Sequence, residues 1–465
     1  MRTISLWVCV VLAGNICLAT GSTDPGPLFL TPLILNGSIA LAKTKSRVEL
    51  FKEEANVTAY SGYITVNDVT ESNLFFLHIL AQENNDTAPL MLWTQGGPGM
   101  SSLFGQFLQN GPLGVNSIGK LFNRSHTIQK HVNILYVDVP VGAGFSFTKN
   151  KTAYASSLED VTSAMKEFLR QFLCLFPEYT NRDFYVAGES YAGRYSVAIA
   201  YNFLTAPNDF APVKLQGVVA GVPFVAPVFD VFDSSNFLYE LSMLTNDGRN
   251  ELARKFETMR QLAATNSTQN IMQALLLLSQ TIFNDPANPT LFENLTSYSN
   301  HANALYSALP LEILQFINYV NTTKFKTAVH VGENATFYMF DPQVAFSLFP
   351  DIARDITKLV EHVLNETNVL VYLAQMDTLL PAANQRAYLR KLHWKHAAEY
   401  LAAERKPWRP HENYYGMAGY VKKVPRFTEV LLLEAGHYAS FDRPDEVYHL
   451  MYNFTTNKQS NPNEK

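Results

Sequence analysis

The chain of 465 residues carries only three cysteines, too few for a secreted scaffold built on disulfides. Cys9 and Cys17 lie in the N-terminal apolar stretch, so a chain that loses this stretch keeps Cys174 alone and forms no internal disulfide. Cys174 falls in the pattern Phe168-Leu169-x-x-Phe172-Leu173-Cys174-Leu175-Phe176, which reads as a buried, inert thiol without a basic neighbour to activate it. Basic blocks are also lacking and the net charge is −5, which excludes nucleic acid as a partner. Charged residues make up 17% against 47% hydrophobic, so the chain has ample material for a large core and disorder is excluded as its dominant state. Past the N-terminus no stretch reaches the ~20 apolar residues of a membrane span; Val218 to Val231 is interrupted by Pro223 and Pro227. The C-terminus shows no retention signal of the Lys-Asp-Glu-Leu type, and neither a metal site nor a cofactor is expected.

What is present points to export. Arg2 precedes an apolar run from Ile4 to Ala19, with small residues at Ala19, Gly21 and Ser22, the layout of a signal peptide over residues 1–21. Asn-x-Ser/Thr acceptors for N-glycans occur at Asn36, Asn56, Asn85, Asn123, Asn150, Asn266, Asn294, Asn321, Asn334, Asn365 and Asn453, a chain-wide scatter suited to a surface that meets the glycosylation machinery. The remaining chain, 22–465, reads as one α/β domain. Buried strands are expected at Leu90 to Trp93, Val132 to Asp138, Phe184 to Val186, Leu215 to Ala220, Val369 to Leu373 and Glu429 to Leu433. Amphipathic helices over Leu158 to Phe176 and Gly193 to Leu204 alternate with them, as in a mostly parallel sheet flanked by helices. Between about 230 and 341 the pattern is helical and rich in Asn and Ser, which reads as a helical cap inserted over the C-terminal edge of the sheet.

The chemistry is carried by three points in chain order. Strand, sharp turn and helix meet at Gly188-Glu189-Ser190-Tyr191-Ala192-Gly193, the layout of a nucleophile elbow, in which small residues admit a strained serine between closely packed elements. Serine needs a base and the base an orienting acid, in the order Ser, Asp, His for this architecture. Asp377 and His437 each follow an expected strand, at the C-terminal ends where open α/β sheets place their sites. His393 and His396 read as solvated loop residues, and Asp442 as a residue that caps or turns the chain. Gln95-Gly96-Gly97-Pro98-Gly99 can bring bare backbone N–H groups to an oxyanion; a phosphate-binding loop is excluded because no Lys-Ser/Thr follows and Pro98 removes a donor.

Together, Trp93-Thr94-Gln95-Gly96-Gly97-Pro98-Gly99-Met100-Ser101-Ser102, Asp138-x-Pro140-x-Gly142-x-Gly144-Phe145-Ser146, the Ser190 turn and Ala435-Gly436-His437 resemble the serine carboxypeptidases. Gln95 and Phe176-Pro177-Glu178-Tyr179 look most like the vitellogenic and vitellogenic-like branch. The resemblance implies an α/β-hydrolase fold and release of C-terminal residues from peptides through an acyl-enzyme in mild acid, in a lysosomal or extracellular setting. It also implies oxyanion donors at Gly97 and Tyr191, and capture of the substrate carboxylate by Glu189 and Gln95. This chain departs from the family pattern at Gln95, at Gln109 in place of an acid, at Met100 in place of a cysteine, and at Tyr438-Ala439-Ser440. An acyltransferase or esterase on the same triad, or a non-catalytic secreted glycoprotein, are the alternative readings, and a homodimer stays open as the assembly.

Overall fold

The computed structural model describes residues 26–456 apart from 208, 266 and 284–287; the expected signal segment lies outside the described residues. Ten strands form one sheet: β1 Ala59–Asn67, β2 Ser72–Ile79, β3 Leu90–Thr94, β4 Asn133–Val137, β5 Asp183–Glu189, β6 Lys214–Gly221, β7 Asn368–Ala374, β8 Lys406–Trp408, β9 Gly419–Val424 and β10 Phe427–Leu432. In space they follow the order β1-β2-β4-β3-β5-β6-β7-β10-β9-β8. The inner run from β4 to β10 is parallel, and an antiparallel pair closes each edge. The six strands expected from sequence are these six parallel ones. Their Val-, Leu- and Ile-rich runs belong to strands covered by helices on both faces, and β3 and β4 are buried at every position.

Helix α1, Leu158–Leu175, opens with a capping box between Ser157 and Asp160, which satisfies two orphan backbone donors at once. It buries Val161, Met165, Phe168, Leu169 and Phe172 against the sheet. Cys174 corrects the sequence reading, because it is exposed. Two residues past Phe172 it is turned about 200° around the helix, and a run as dense as Phe172 to Phe176 cannot keep every member on one face. It is also not without basic neighbours: Lys166 and Arg170 line the same surface cavity of about 580 Å³. Treating the native protein with a maleimide is therefore expected to modify Cys174 while peptidase activity stays within about twofold, since its cavity contains none of Ser190, Asp377 or His437; protection of Cys174 until denaturant is added would contradict its exposed placement.

Helix α2, Ala192–Thr205, leaves the Ser190 turn and is buried for most of its length. Between β6 and β7 the chain is helical. α3 Asn246–Ala264 and α4 Thr268–Ile282 pack as a pair, and shorter helices continue past Asp341 to Thr357–Glu366, where the chain re-enters the sheet. The last helix among the described residues is α5, Pro444–Thr456.

Candidate active site

The turn at Ser190 is set by close packing. Ser190 adopts φ 61°, a left-handed conformation that a non-glycine residue takes at a cost. Three backbone hydrogen bonds hold it there: its N–H donates to Gly221 at 2.9 Å, and Gly193 and Phe224 each donate to its carbonyl at 2.9 Å. A Cβ at Gly188 would stand 2.6 Å from Ala192 Cβ, and one at Gly193 2.7 Å from Pro223. The turn therefore tolerates Ala192 in the usual glycine place because Gly188 leaves it room.

His437 and Asp377 reach the turn from the loops after β10 and β7. His437 Nε2 lies 2.8 Å from Ser190 Oγ, and its Nδ1 lies 2.8 Å from Asp377 Oδ2. Asp377 is fully buried and accepts backbone N–H bonds from Leu379 and Leu380 at its other oxygen, each 2.9 Å. With the Nδ1 proton directed to Asp377, the Nε2 lone pair faces the serine. Burial pulls the His437 imidazole down, but the charge and hydrogen bond of Asp377, helped by the charge of Glu189, outweigh it and leave the group above its ordinary value.

A cap segment that the sequence reading did not single out holds both loops. His437 N–H donates to Ala302 at 2.7 Å, Ala304 N–H to Met376 at 3.0 Å, and Thr378 Oγ1 to His301 at 2.6 Å. Asn303 and the Gly436 N–H both donate to Asp442 Oδ2, at 2.8 and 2.7 Å. Any side chain at Gly436 would drive into Asn303, whose Cγ stands 2.4 Å from the place of a Cβ.

The Gly96-Gly97 loop lies directly against the serine turn. A Cβ at Gly96 would come within 2.7 Å of Ser190 Cβ and 2.8 Å of Tyr191 N. The loop is steadied from behind by Asp138, which accepts from Ser101 Oγ at 2.8 Å, Ser102 N at 2.7 Å and Phe145 N at 2.9 Å. Gly144 (φ 57°) is obligatory there, because its Cβ would overlap Asp138 Oδ2 at 1.9 Å. The Asp138-to-Ser146 motif thus supports the site without entering it.

Glu189, one residue before the serine, is fully buried. Its Oε2 accepts from Gln95 Nε2 at 3.2 Å and from Gln109 Nε2, and Gln95 is oriented by Trp93 Nε1 at 3.2 Å. Glu189 Oε1 has no hydrogen-bond partner among the described residues. Burial pushes this carboxyl up to about 7, against the opposing pull of the Gln109 bond, the His437 charge and the Gln95 bond.

A ten-stranded, mainly parallel sheet with serine, imidazole and buried carboxylate meeting beyond its strand ends is the architecture of an α/β-hydrolase. The chain belongs to the serine carboxypeptidase family, whose model matches residues 50–457. It is 35% identical over 449 residues to the venom serine carboxypeptidase of Apis mellifera, covering 95% of this chain and 94% of that protein. A probable serine carboxypeptidase, CPVL, of Homo sapiens is 34% identical over 441 residues, 94% of this chain and 91% of its own. The vitellogenic carboxypeptidase of Aedes aegypti is 31% identical over 436 residues, 92% and 90% of the two chains, in keeping with the branch expected from Gln95. Among solved structures, the prohormone-processing carboxypeptidase Kex1 of Saccharomyces cerevisiae has the same fold, with a TM-score of 0.73 at 21% identity over 89% of this chain and 96% of that one. No helix among the described residues is long and apolar enough to cross a membrane.

Proposed function

We propose that Ser190 attacks the carbonyl of a peptide's last bond while His437 takes its proton, and that the acyl-enzyme so formed is hydrolysed by water activated by the same imidazole. Gly97 N–H and Tyr191 N–H serve as oxyanion donors; the close approach of Gly96 to Ser190 and Tyr191 supports this. Glu189, with Gln95 and Gln109, receives the free carboxylate of the leaving residue. The observation that carries this reading is the buried Glu189, half-satisfied by two amides and adjacent to the serine. A carboxyl raised to about 7 is protonated in mild acid and can donate from Oε1 to a second carboxylate, which an ionised Glu189 would repel. An esterase or acyltransferase acting on neutral esters has no use for such a group.

The pH dependence has a definite sign. Glu189 must hold a proton and His437 must not, and each feels the charge of the other. The productive state is the pair with one proton, placed on Glu189. Raising the pH through about 7 removes that proton and weakens substrate binding; lowering it protonates His437 and stops the base. For a blocked dipeptide, kcat/KM is therefore expected to trace a bell with its alkaline limb near 7. Glu189→Gln, neutral at every pH, is expected to lose the alkaline limb and keep the acid one, and Glu189→Ala to raise KM by about 10- to 100-fold with less change in kcat. The C-terminal amide of the same dipeptide should be a poor substrate for the wild type. An unchanged alkaline limb in Glu189→Gln, or equal turnover of acid and amide, would remove carboxylate recognition by Glu189.

Export into a lysosomal or extracellular compartment is consistent with an alkaline limb near 7. It is supported by the exposure of nine of the glycan acceptors, Asn36, Asn56, Asn85, Asn123, Asn150, Asn294, Asn321, Asn334 and Asn453; Asn266 lies outside the described residues.

A further inference from the structure

Asp445, in the first turn of α5, is surrounded by imidazoles from three parts of the chain. His449 stands one turn further along the same helix, His411 comes from the loop between β8 and β9, and His126 from the turn that precedes β4. Asp445 Oδ1 lies 3.2 Å from His126 Nε2 and 3.3 Å from His449 Nε2, and Asp445 Oδ2 lies 3.6 Å from His411 Nε2. One ligand atom from each of His411, Asp445 and His449 falls within 4.8 Å of the other two. Asp445 Oδ1 is buried, yet it accepts no hydrogen bond among the described residues, even with two imidazole nitrogens at this range. The nitrogens are close without being aligned as donors.

We propose that His411, Asp445 and His449 bind a zinc-class divalent ion, with His126 orienting the carboxylate at the same Oδ1 that His449 approaches and water completing the coordination. Ligand atoms 2.0–2.1 Å from a tetrahedral ion stand about 3.3 to 3.4 Å apart. Here the imidazole nitrogens stand 3.3 and 3.6 Å from the two Asp445 oxygens and the three ligand atoms lie within 4.8 Å of one another, so a small side-chain rotation closes them on an ion. Two imidazoles and one carboxylate favour zinc, copper or nickel over calcium or magnesium. The ligands are carried on braced elements. Tyr414 OH donates to Glu446 Oε1 at 2.6 Å, Arg443 binds both Tyr414 OH at 2.6 Å and Glu446 at 2.8 Å, and Tyr414 N–H donates to the carbonyl of His411 at 3.1 Å. This clip ties the His411 loop to α5 next to Asp445. Side-chain exposures of 42% at His411, 26% at Asp445 and 22% at His449 leave a path for ion and water. The site is separate from the triad, and hydrolysis by Ser190 needs no metal. Its consequence is stability: an ion bound to the folded chain alone bridges segments far apart in sequence and raises the unfolding temperature.

The full chain, stripped with a chelator and returned to pH 7.5, is titrated with Zn²⁺ by calorimetry and with Co²⁺ in the visible. About one equivalent of zinc is expected, with a rise in unfolding temperature and the intense absorption of four-coordinate cobalt. His411→Ala and His449→Ala are each expected to weaken zinc by about 100-fold or more, and His126→Asn by about tenfold, all three with peptidase activity unchanged. Should a variant fold poorly, the cobalt spectrum of the wild type carries the test, since scattered surface histidines do not give a single saturating four-coordinate band. Absence of saturable binding, only weak six-coordinate cobalt absorption, or equal zinc affinity in wild type and His449→Ala would each overturn the site and leave an ionic cluster.

Discussion

Ser190→Ala is expected to lower turnover of a blocked dipeptide by about 10⁶-fold, to the level left by binding and the oxyanion donors. The size follows from the loss of the attacking group itself: the Ser190 Oγ is the hydroxyl that His437 Nε2 reaches, at 2.8 Å. The variant should fold, because the hydrogen bonds that hold the turn are made by backbone groups of residue 190, Gly193, Gly221 and Phe224, all retained in alanine. A fluorophosphonate should label the wild type at Ser190 and leave the variant unlabelled, with unfolding temperatures within a few degrees. Residual activity within a hundredfold of wild type would show that another group performs the attack.

Asp377→Asn is expected to cost about 10⁴-fold in kcat/KM at little expense in stability. Asp377 Oδ1 accepts two backbone N–H bonds, from Leu379 and Leu380, so an asparagine places its carbonyl oxygen there and its amide NH₂ in the position of Oδ2. That NH₂ donates to His437 Nδ1, where the carboxylate accepted. The imidazole proton then moves to Nε2, which donates to Ser190 when it should accept from it, and the base is lost through its tautomer alone. Fluorophosphonate labelling should slow in parallel with hydrolysis. A loss smaller than about tenfold would show that the tautomer of His437 is set by something other than Asp377.

The parts of the fold legible in sequence were those where local pattern and burial agree. The six parallel strands are continuous apolar runs because helices cover both their faces, and α1 announces its start with Ser157-x-x-Asp160 and its stripe with Val161, Met165, Phe168 and Phe172. The edge strands do not stand out in the same way. β8, the edge itself, is three residues long and largely exposed, and its neighbour β9, Gly419–Val424, carries two lysines and mixes buried with partly exposed positions, so neither forms a continuous apolar run. Cys174 misled because density of apolar residues was taken for a buried face, and only the helical phase separates the two.

Within the site, chain order and small-residue spacing singled out Ser190, Asp377 and His437, because an elbow needs glycines and a base needs an acid wherever they fall, and the structure brings the three within hydrogen-bond reach. Gln95, Gln109 and Glu189 were named as well, and Glu189 and Gln95 were linked as holders of a carboxylate, but only through the family resemblance and not from spacing. Residues 95, 109 and 189 converge only when β3, the short helix after the glycine-rich loop and β5 are packed together, and only burial there pushes Glu189 up to about 7. The same holds for Asn303 reaching Asp442, and for His126 and His411 reaching Asp445. Each is a contact between side chains that share no periodicity and no spacing. The amino-acid sequence by itself pointed to serine carboxypeptidase chemistry and to the residues proposed to carry it. The tertiary structure decided which charges face one another in the dry interior, because a pKa, a tautomer and a cluster of ligands depend on distance through space and not on position along the chain.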